Sequence, residues 1–443
     1  MWNHYNPGSM QTTTTNRGTR AILAASLGNL LEWFDFAVYA AFAIYIGKNF
    51  FPGDSPAAGL VSAFLVFGFG FVIRPLGAVL IGIYGDRAGR KAALTATILI
   101  MACGTLIIAT APTYAAIGLG APLVLLTGRM LQGFSAGGEI GSATAFLVEH
   151  APARRRALFT AWLQASMGMS NIMGALTAFT ITSLMRESEI DRWGWRVPFF
   201  IGLAIVPLGV YLRRTLEETP AFRAEAAIER GARQPLRRVF RDHTPELAAG
   251  FGVSILWAAE VYVLLIFMPV FLQKALGFTP VQAFGSSLAE NVVFVIGCFL
   301  FGALADRVGH ARIQAYGAAL VLITILPLFV WVDHARSMGV LIVMVCTCGV
   351  LAASFCGVAP TTLSGMFPTP VRATGVSLAY NAGFTLFGGF APAILSRYLQ
   401  ARSGTAAYAP AGFIMLAAIP ALIALKFEAR HRAATALADP ESG

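Results

Sequence analysis

Several ionisable side chains of this chain lie deep inside long apolar stretches. These residues are Glu32, Asp35, Arg74, Arg129, Glu139, Glu260 and Glu290. Placing a charged side chain at the centre of a lipid bilayer costs at least about 2.5–3.5 kcal/mol, so each of them needs a functional or a structural reason. A carboxylate in that setting can carry protons, and an arginine can bind an anionic group through two parallel hydrogen bonds.

The spacing of Glu32 and Asp35 predicts a proton-coupling site. The two residues are three apart and therefore lie on adjacent faces of a helix. We predict that Asp35 or Glu32 pairs with Arg129, and we include Glu139 in the same site. Burial and a nearby arginine act on a carboxyl group in opposite senses, so such a pair can respond to proton load and to an anionic substrate together. The alternative is a fixed ion pair that only holds two helices together.

The two arginines also predict a carboxylate-binding cavity. Arg74 and Arg129 match a carboxylate in shape and charge, although a salt bridge from Arg74 to Glu139 is an equally good interpretation. Nearby aromatic rings can cage a quaternary ammonium group by cation–π contact, or can simply pack. The remaining candidate substrate contacts are Gln164, Trp257, Glu260, Tyr262, Glu290, Tyr380 and Asn381.

The composition indicates that lipid surrounds most of the elements that position these residues. The chain is 57% hydrophobic and 12% charged, whereas soluble domains carry about 25% charged residues. Only helices satisfy their own backbone inside lipid, so an all-α membrane protein with twelve transmembrane helices is expected. The predicted spans are 21–46, 57–83, 92–111, 115–148, 157–183, 195–212, 247–273, 281–304, 313–332, 338–365, 373–400 and 407–427.

The polar residues favour neither an enzyme nor a metal protein. The six histidines show no ligand spacing, and the five cysteines all lie in apolar stretches. We therefore expect no metal, no cofactor and no catalytic residue.

Most of the 32 Lys and Arg residues lie in the tails and the even-numbered connections. This distribution predicts a multi-pass protein of the inner (plasma) membrane with both termini in the cytoplasm, and it explains the net charge without nucleic acid.

A glycine-rich motif occurs twice, about half a chain apart. The pattern G-x-x-x-D-R-x-G spans Gly82–Gly89 and returns at Gly302–Gly309, and a proline–arginine segment repeats at Pro152–Arg156 and Pro368–Arg372. Two six-helix halves in parallel pseudo-twofold repeat are a transporter architecture. The predicted divisions are a tail 1–20, a first half 21–212, a basic cytoplasmic linker 213–246, a second half 247–427 and a tail 428–443. A monomer is expected, because two halves already enclose a cavity.

The repeated motif predicts a gate on the cytoplasmic side. Asp86 is expected to cap the N-terminus of the eleventh helix, where the helix dipole favours an anion, and Arg87 and Arg90 to pair with Glu149. A basic loop that only orients the chain in the membrane is the alternative. The full candidate gate is Gly82, Gly85, Asp86, Arg87, Gly89, Arg90, Glu149, Asp306, Arg307 and Arg372.

The chain resembles the major facilitator superfamily and, within it, the metabolite–proton symporters that carry citrate, oxoglutarate, shikimate, proline or betaine. The resemblance rests on the two motifs above and on Gly28–Phe36, Arg74–Gly77, Gly128–Glu139, Trp193–Phe199, Glu218–Phe222 and Tyr380–Gly383. It implies the major facilitator fold and proton-coupled symport of a small organic carboxylate by alternating access. A zwitterion such as proline or betaine, and an exporter or uniporter, are the alternatives.

The C-terminal half of the predicted gate departs from the pattern of these carriers, beside the second motif copy and in the connection between the tenth and eleventh helices. Gly365 stands where they usually have Glu, Pro370 where they have Arg, and His310 where they have a basic residue. We therefore expect the first copy, at Gly82–Gly89, to dominate the gate.

Overall fold

The computed structural model describes residues 26, 28–53, 55–88, 90–137, 139–215, 235–400 and 406–438. Over these residues the chain forms twelve helical spans. They are α1 (Gly28–Ala41 and Ala43–Phe50), α2 (Pro56–Val72 and Arg74–Ala88), α3 (Arg90–Thr110), α4 (Gly120–Ala136 and Glu139–His150), α5 (Arg156–Leu184), α6 (Val197–Thr215), α7 (Thr244–Ala259, Glu260–Phe267 and Met268–Lys274), α8 (Pro280–Val308), α9 (His310–Ala335), α10 (Met338–Cys356 and Ala359–Met366), α11 (Arg372–Gly383, Phe384–Gly389 and Ala391–Gln400) and α12 (Ala409–Ala438).

Each of the twelve predicted spans overlaps with one of these helices or helix series, with ends that differ by several residues, and the all-α prediction is confirmed. By length and composition, eight are apolar enough to cross a membrane, and a ninth is so if the bent pair in α1 is one span. The spans α3, α4 and α5 fall outside that group because they are shorter or carry more polar residues, such as Arg129, Gln132 and Gln164.

The helices α1, α7 and α11 contain irregular segments near the middle of the bundle. The two pieces of α1 meet at Phe42 with a bend of 64°. In α7 and α11, the segments Glu260–Phe267 and Phe384–Gly389 are π-helical, a rare geometry that is frequent at functional sites. These irregular segments lie next to the charged residues that the sequence singled out.

Close glycine contacts press α2 against α4. A Cβ atom added to Gly133 would lie 1.7 Å from the carbonyl oxygen of Gly70, and one added to Gly137 would lie 1.9 Å from that of Arg74. Because no side chain separates the two backbones, Arg74 on α2 and Arg129 on α4 are held close to each other.

The first six helices pack against the last six along several lines. α8 lies along α5, and α11 packs on both α2 and α4. At one end of this interface, Gly302 of α8 approaches Ala157 and Ala161 of α5. The interface is largely dry, since residues 249–272 of α7 are all buried except Phe251.

The predicted division points stay predictions. Residues 1–20 and 216–234 lie outside the described residues, and α6 extends to Thr215. The predicted linker contains a short basic helix, Pro235–Asp242, that packs on α7, α11 and the turn before α11. The last helix, α12, continues to Ala438, into the segment predicted as a tail.

Candidate functional site

The polar centre of the first half contains an ion pair between α1 and α2. Nη2 of Arg74 lies 3.4 Å from Oε1 of Glu32, and both side chains are almost fully buried. This contact differs from both sequence-based interpretations, which paired Glu32 with Arg129 or Arg74 with Glu139. Glu139 lies on α4 and lines the same cleft as Glu32.

Asp35 is connected to Arg129 through Gln132. Oδ2 of Asp35 accepts hydrogen bonds from the hydroxyl of Thr105 on α3 and from Nε2 of Gln132 at 3.1 Å. Oε1 of Gln132 in turn accepts a hydrogen bond of 2.7 Å from Nη1 of Arg129. The structure therefore brings the predicted pair together, but an amide stands between the carboxylate and the guanidinium in place of a direct ion pair.

Aromatic rings cover both guanidinium groups. The guanidinium carbon of Arg74 lies 4.1 Å from the ring centre of Phe71, and that of Arg129 lies 4.4 Å from Tyr39 and 4.6 Å from Phe67. Within the described residues, Nε and Nη2 of Arg129 and Nε of Arg74 have no hydrogen-bond partner. Buried donors of this kind are usually satisfied, so these nitrogens retain unused capacity to donate hydrogen bonds.

The aromatic and amide residues predicted to bind substrate lie between the halves. The ring of Tyr262 lies 5.9 Å from that of Trp33, and Trp257 lies 5.0 Å from Tyr380. The indole nitrogen of Trp257 donates to Oε1 of Gln164 across the interface at 3.2 Å.

The amide of Asn381 makes a second polar contact across the interface. Its Nδ2 donates to the carbonyl of Gly137 at 3.0 Å. The predicted residues of α5, α7 and α11 thus meet at one place, next to the two arginines.

Three carboxylates line a cleft inside the first half. Glu32, Asp35 and Glu139 share it with Thr97 and Ser135, between α1, α3, α4 and α6. Glu260 and Glu290 lie elsewhere. Both are buried in the second half, where Glu260 contacts Cys356 of α10.

Polar contacts close the interface at the end of the bundle that carries the two repeated motifs, here called the motif face. Oδ1 and Oδ2 of Asp306 accept the backbone N–H groups of Ala157 and Leu158, at 2.8 and 3.0 Å, at the N-terminus of α5. Glu149 of α4 pairs with Arg372 of α11 at 3.5 Å.

The first motif copy cannot be compared with this arrangement. The structure does not describe the surroundings of its residues, which are Gly82, Gly85, Asp86, Arg87, Gly89 and Arg90. The prediction that this copy dominates the gate therefore falls outside the described residues. Arg307 is described and is exposed. The contact predicted for Asp86, a cap on a helix of the other half, is the one that Asp306 makes in the second copy.

The bundle closes differently towards the opposite face. There, Phe64 of α2 packs against Phe267 of α7 with ring centres 5.6 Å apart. The ion pairs of Lys48 with Glu187 and Asp191 on that face join residues of the first half only.

The comparison with protein families decides the identity. The model of the Major Facilitator Superfamily matches residues 25–392.

The chain belongs to the major facilitator superfamily.

Two curated members of the superfamily show how close the relation is. The "Citrate-proton symporter" of Salmonella typhi is 34% identical over 415 residues, which cover 93% of this chain and 94% of that protein. The "Proline/betaine transporter" of Salmonella typhimurium is also 34% identical, over 413 residues that cover 91% and 82% of the two chains. Like these superfamily members, the protein is a multi-pass membrane transporter and not an enzyme.

The fold matches solved structures of the superfamily. The proton:xylose symporter XylE bound to 6-bromo-6-deoxy-D-glucose superposes with a TM-score of 0.77 and 18% identity, covering 94% of this chain and 96% of that one. At this identity the match shows the fold alone, and it confirms the predicted major facilitator fold.

Two polar residues of this transporter's site were not singled out from the sequence. Thr105 and Gln132 both contact Asp35. Gln132 follows Arg129 by three residues, so both lie on one face of α4. This spacing is visible in the sequence and identifies Gln132 as a candidate site residue. Thr105 has no comparable signal, because threonine is common in apolar helices.

Proposed function

We propose that this transporter carries a small organic carboxylate together with protons by alternating access. The observation that carries the proposal is the Asp35–Gln132–Arg129 chain of hydrogen bonds beside two arginines with unused donors. One end of the chain can hold a proton and the other can hold an anion. A change at either end is transmitted through one amide.

The proton and the substrate share this chain of contacts. A proton on Asp35 removes the charge that holds Gln132 and the Thr105 hydroxyl in their present positions. Gln132 is then free to turn, and Arg129 loses its hydrogen-bond acceptor. A substrate carboxylate that accepts from Nη1 and Nη2 of Arg129 replaces it. Loading a proton thus favours binding of the anion, which is the requirement for symport.

The cation–π contacts favour an acid over a quaternary ammonium compound. The faces of Phe71, Tyr39 and Phe67 are already occupied by guanidinium groups. A second cation at these rings would be repelled by the first. A proline or betaine substrate remains the second candidate, because the rings of Trp257, Tyr380 and Phe384 pack together and none of them has a cation over its face among the described ring–cation pairs.

We further propose that the motif face is the cytoplasmic face of an inner membrane. The basic residues concentrate in the connections at this face, as the positive-inside rule requires. The protein then works as a monomer whose two halves rock about the interface. In the arrangement described here the two halves touch at both faces, through polar contacts at the motif face and through aromatic packing towards the opposite face.

The test is uptake into proteoliposomes under an imposed inward proton gradient. Labelled citrate, oxoglutarate, shikimate, proline and betaine are offered, with and without a protonophore. We expect protonophore-sensitive accumulation of one of the acids. Accumulation of proline or betaine alone would select the second candidate, and equilibration that ignores the gradient would contradict proton coupling.

The variant Asp35→Asn tests the coupling residue. Asparagine keeps an acceptor for Thr105 and Gln132 but cannot release a proton. Uphill accumulation should therefore be lost, while exchange of labelled for unlabelled substrate is kept. Asp242→Asn, in the exposed end of the short helix Pro235–Asp242, is the matched control and should behave as wild type. Gradient-driven accumulation by Asp35→Asn would remove Asp35 from the coupling mechanism.

A further inference from the structure

A second set of buried carboxyl groups lies in the half of the transporter that does not contain Asp35. Glu260 of α7 is fully buried. Its Oε2 is 3.1 Å from Sγ of Cys356, which donates a weak hydrogen bond, and its Oε1 has no hydrogen-bond partner among the described residues. This side chain is thus held at one oxygen only.

Glu290 of α8 is more isolated still. It is also fully buried, and neither of its carboxyl oxygens has a hydrogen-bond partner among the described residues. Its backbone is pressed against α10, since a Cβ atom on Gly349 would lie 2.6 Å from the Glu290 carbonyl oxygen. The backbone at Glu290 therefore cannot come closer to α10.

Among the described residues, thiols and no cation are recorded around the two carboxyl groups. Cys348 lies within electrostatic reach of both groups, and Cys346 within reach of Glu290. The described ion pairs include neither glutamate, and no described group of His, Cys, Asp or Glu could hold a metal ion. In the described part of the chain, the titratable groups within electrostatic reach of the two glutamates are Cys346, Cys348 and Cys356 of α10, while Cys298 of α8 and Tyr380 of α11 lie within reach of Cys356.

These contacts fix the form in which the two groups are buried. A carboxylate ion without a cation or strong donors is far less favourable in an apolar interior than the neutral acid. In the closed arrangement these surroundings therefore favour the protonated form of both side chains. A neutral acid with unused hydrogen-bonding capacity still costs free energy, which calls for a reason beyond packing.

We propose that Glu260 and Glu290 form a second proton-carrying site, which holds its protons while the halves are closed and exchanges them with water when the halves separate. The inference rests on the proposed proton symport and deepens it, because protons then bind in both halves. The protons come from water on one face and return to water on the other, with no other bond made or broken.

The course of α7 explains how the site would open. Glu260 is the first residue of the π-helical segment Glu260–Phe267. On either side of it, Trp257 bonds to Gln164 and Tyr262 packs on Trp33, both across the interface between the halves. When the halves part, these contacts break, and α7 can bend where its hydrogen bonding is already irregular. Water then reaches Glu260.

The alternative is a pair of permanently neutral acids that only fill space, and infrared spectroscopy separates the two. The probe is the carbonyl band of protonated carboxyl groups in purified protein reconstituted in lipid at neutral pH, without substrate. Glu260→Gln and Glu290→Gln should each remove intensity from this band. In wild-type protein, the part of the band that each variant lacks should shift on transfer to deuterated buffer, because a carboxyl group that is reached by water exchanges its proton for a deuteron.

Two variants keep the test decisive. Glu32→Gln is the matched control, because Glu32 is paired with Arg74 and should contribute no acid band. Cys356→Ala removes the thiol that contacts Glu260, so it should move the band without removing it. Unchanged intensity in both glutamine variants, or an acid band that never exchanges its proton, would overturn the proposal.

Transport distinguishes failure of this inference from failure of the proposed function. The logarithm of the accumulation ratio is measured against the imposed pH difference, with whichever of the five substrates wild type accumulates. Glu260→Gln and Glu290→Gln should give a smaller slope than wild type, whereas Asp35→Asn should give no accumulation. An unchanged slope would reject the second site and leave the symport proposal intact. If wild type accumulates none of the five, the symport proposal fails, and the infrared result alone decides whether the buried acids exchange.

Discussion

At the scale of single residues, Gln132 decides how the candidate site can work. Its amide presents a donor to Asp35 and an acceptor to Arg129, so it can connect two charges that do not touch. A direct ion pair would hold both partners tightly, and either would be costly to release. With an amide between them, each charge can exchange its own ligand separately.

Arg129→Lys tests whether the guanidinium binds substrate. Lysine keeps the positive charge but cannot donate in parallel from a planar group. We expect the KM for a transported carboxylate to rise about tenfold to a hundredfold, since a hydrogen bond to a charged group contributes about 1.5–3 kcal/mol. The measurement is the concentration dependence of uptake in proteoliposomes.

The control for this variant is Arg196→Lys. Arg196 also stacks on an aromatic ring, at 4.3 Å from Trp195, and donates to the carbonyl of Ala109, but it lies outside the candidate site. An unchanged KM in Arg129→Lys, or an equal rise in both variants, would argue that Arg129 is structural.

The sequence located the charged residues of the site but did not predict their partners. Charges stand out in apolar helices, so Asp35, Arg74 and Arg129 were found without a structure. The position of a residue along a helix gives the depth of its side chain in the membrane, and Glu139 was one of the predicted partners of Arg74. Depth does not say which face of the bundle a side chain points to, and the ion pair of Arg74 is with Glu32.

At the scale of helices, the contact between α2 and α4 sets the distance between the two arginines. It depends on the absence of side chains at Gly70, Gly133 and Gly137. In a membrane, where the surrounding lipid is as apolar as the helices, such small residues are the main means of close packing.

Gly133→Ala tests this role. The added methyl group would lie 1.7 Å from a backbone oxygen, which cannot move away as a flexible side chain can. We expect a loss of stability of about 1–3 kcal/mol from overpacking and a lower apparent Tm in detergent. Transport should fall as well, because Arg74 and Arg129 are pushed apart.

Gly412→Ala is the matched control. A Cβ atom at Gly412 of α12 would meet nothing within 4 Å, so this variant should unfold at the wild-type temperature. If Gly133→Ala were equally stable and active, the glycine contacts would not position the site.

The helices themselves were predictable, whereas their irregular segments were not. Length and hydropathy give twelve spans because lipid allows few other structures. The π-helical segment of α7 has an ordinary apolar sequence, E-V-Y-V-L-L-I-F. Its geometry depends on how Trp257 and Tyr262 pack against the other half, which no local pattern records.

At the scale of the whole molecule, Asp306 joins the two halves at the motif face. It supplies acceptors for two N–H groups of the first turn of α5 that have no partner within the helix. The neighbouring pair of Glu149 and Arg372 is partly exposed, and such pairs contribute little, typically about 0–1 kcal/mol. Asp306 is therefore expected to be the stronger contact.

Asp306→Ala should favour opening at the motif face. Loss of a helix N-cap costs about 0.5–2 kcal/mol, which shifts the population of closed and open forms about twofold to thirtyfold. The measurement is the rate at which a membrane-impermeant thiol reagent labels a cysteine introduced at Thr160, in the interface between the halves near this face, in a background whose own cysteines are replaced.

Asp333→Ala serves as the control for opening. Asp333 makes an ion pair with Arg336 at the other end of the molecule, within the second half, so its removal should leave the labelling rate unchanged. Equal labelling of Asp306→Ala and the parent protein would show that Asp306 does not restrain the interface.

The two closures of the interface differ in chemistry, and this difference has a thermodynamic consequence. Dissolved ions weaken attraction between charges, so higher ionic strength should loosen the contacts of Glu149 and Arg372. The rings of Phe64 and Phe267 are instead held together by the hydrophobic effect, which weakens on cooling. Added salt should therefore raise the fraction of molecules that are open at the motif face. Cooling should raise the fraction that are open at the opposite face.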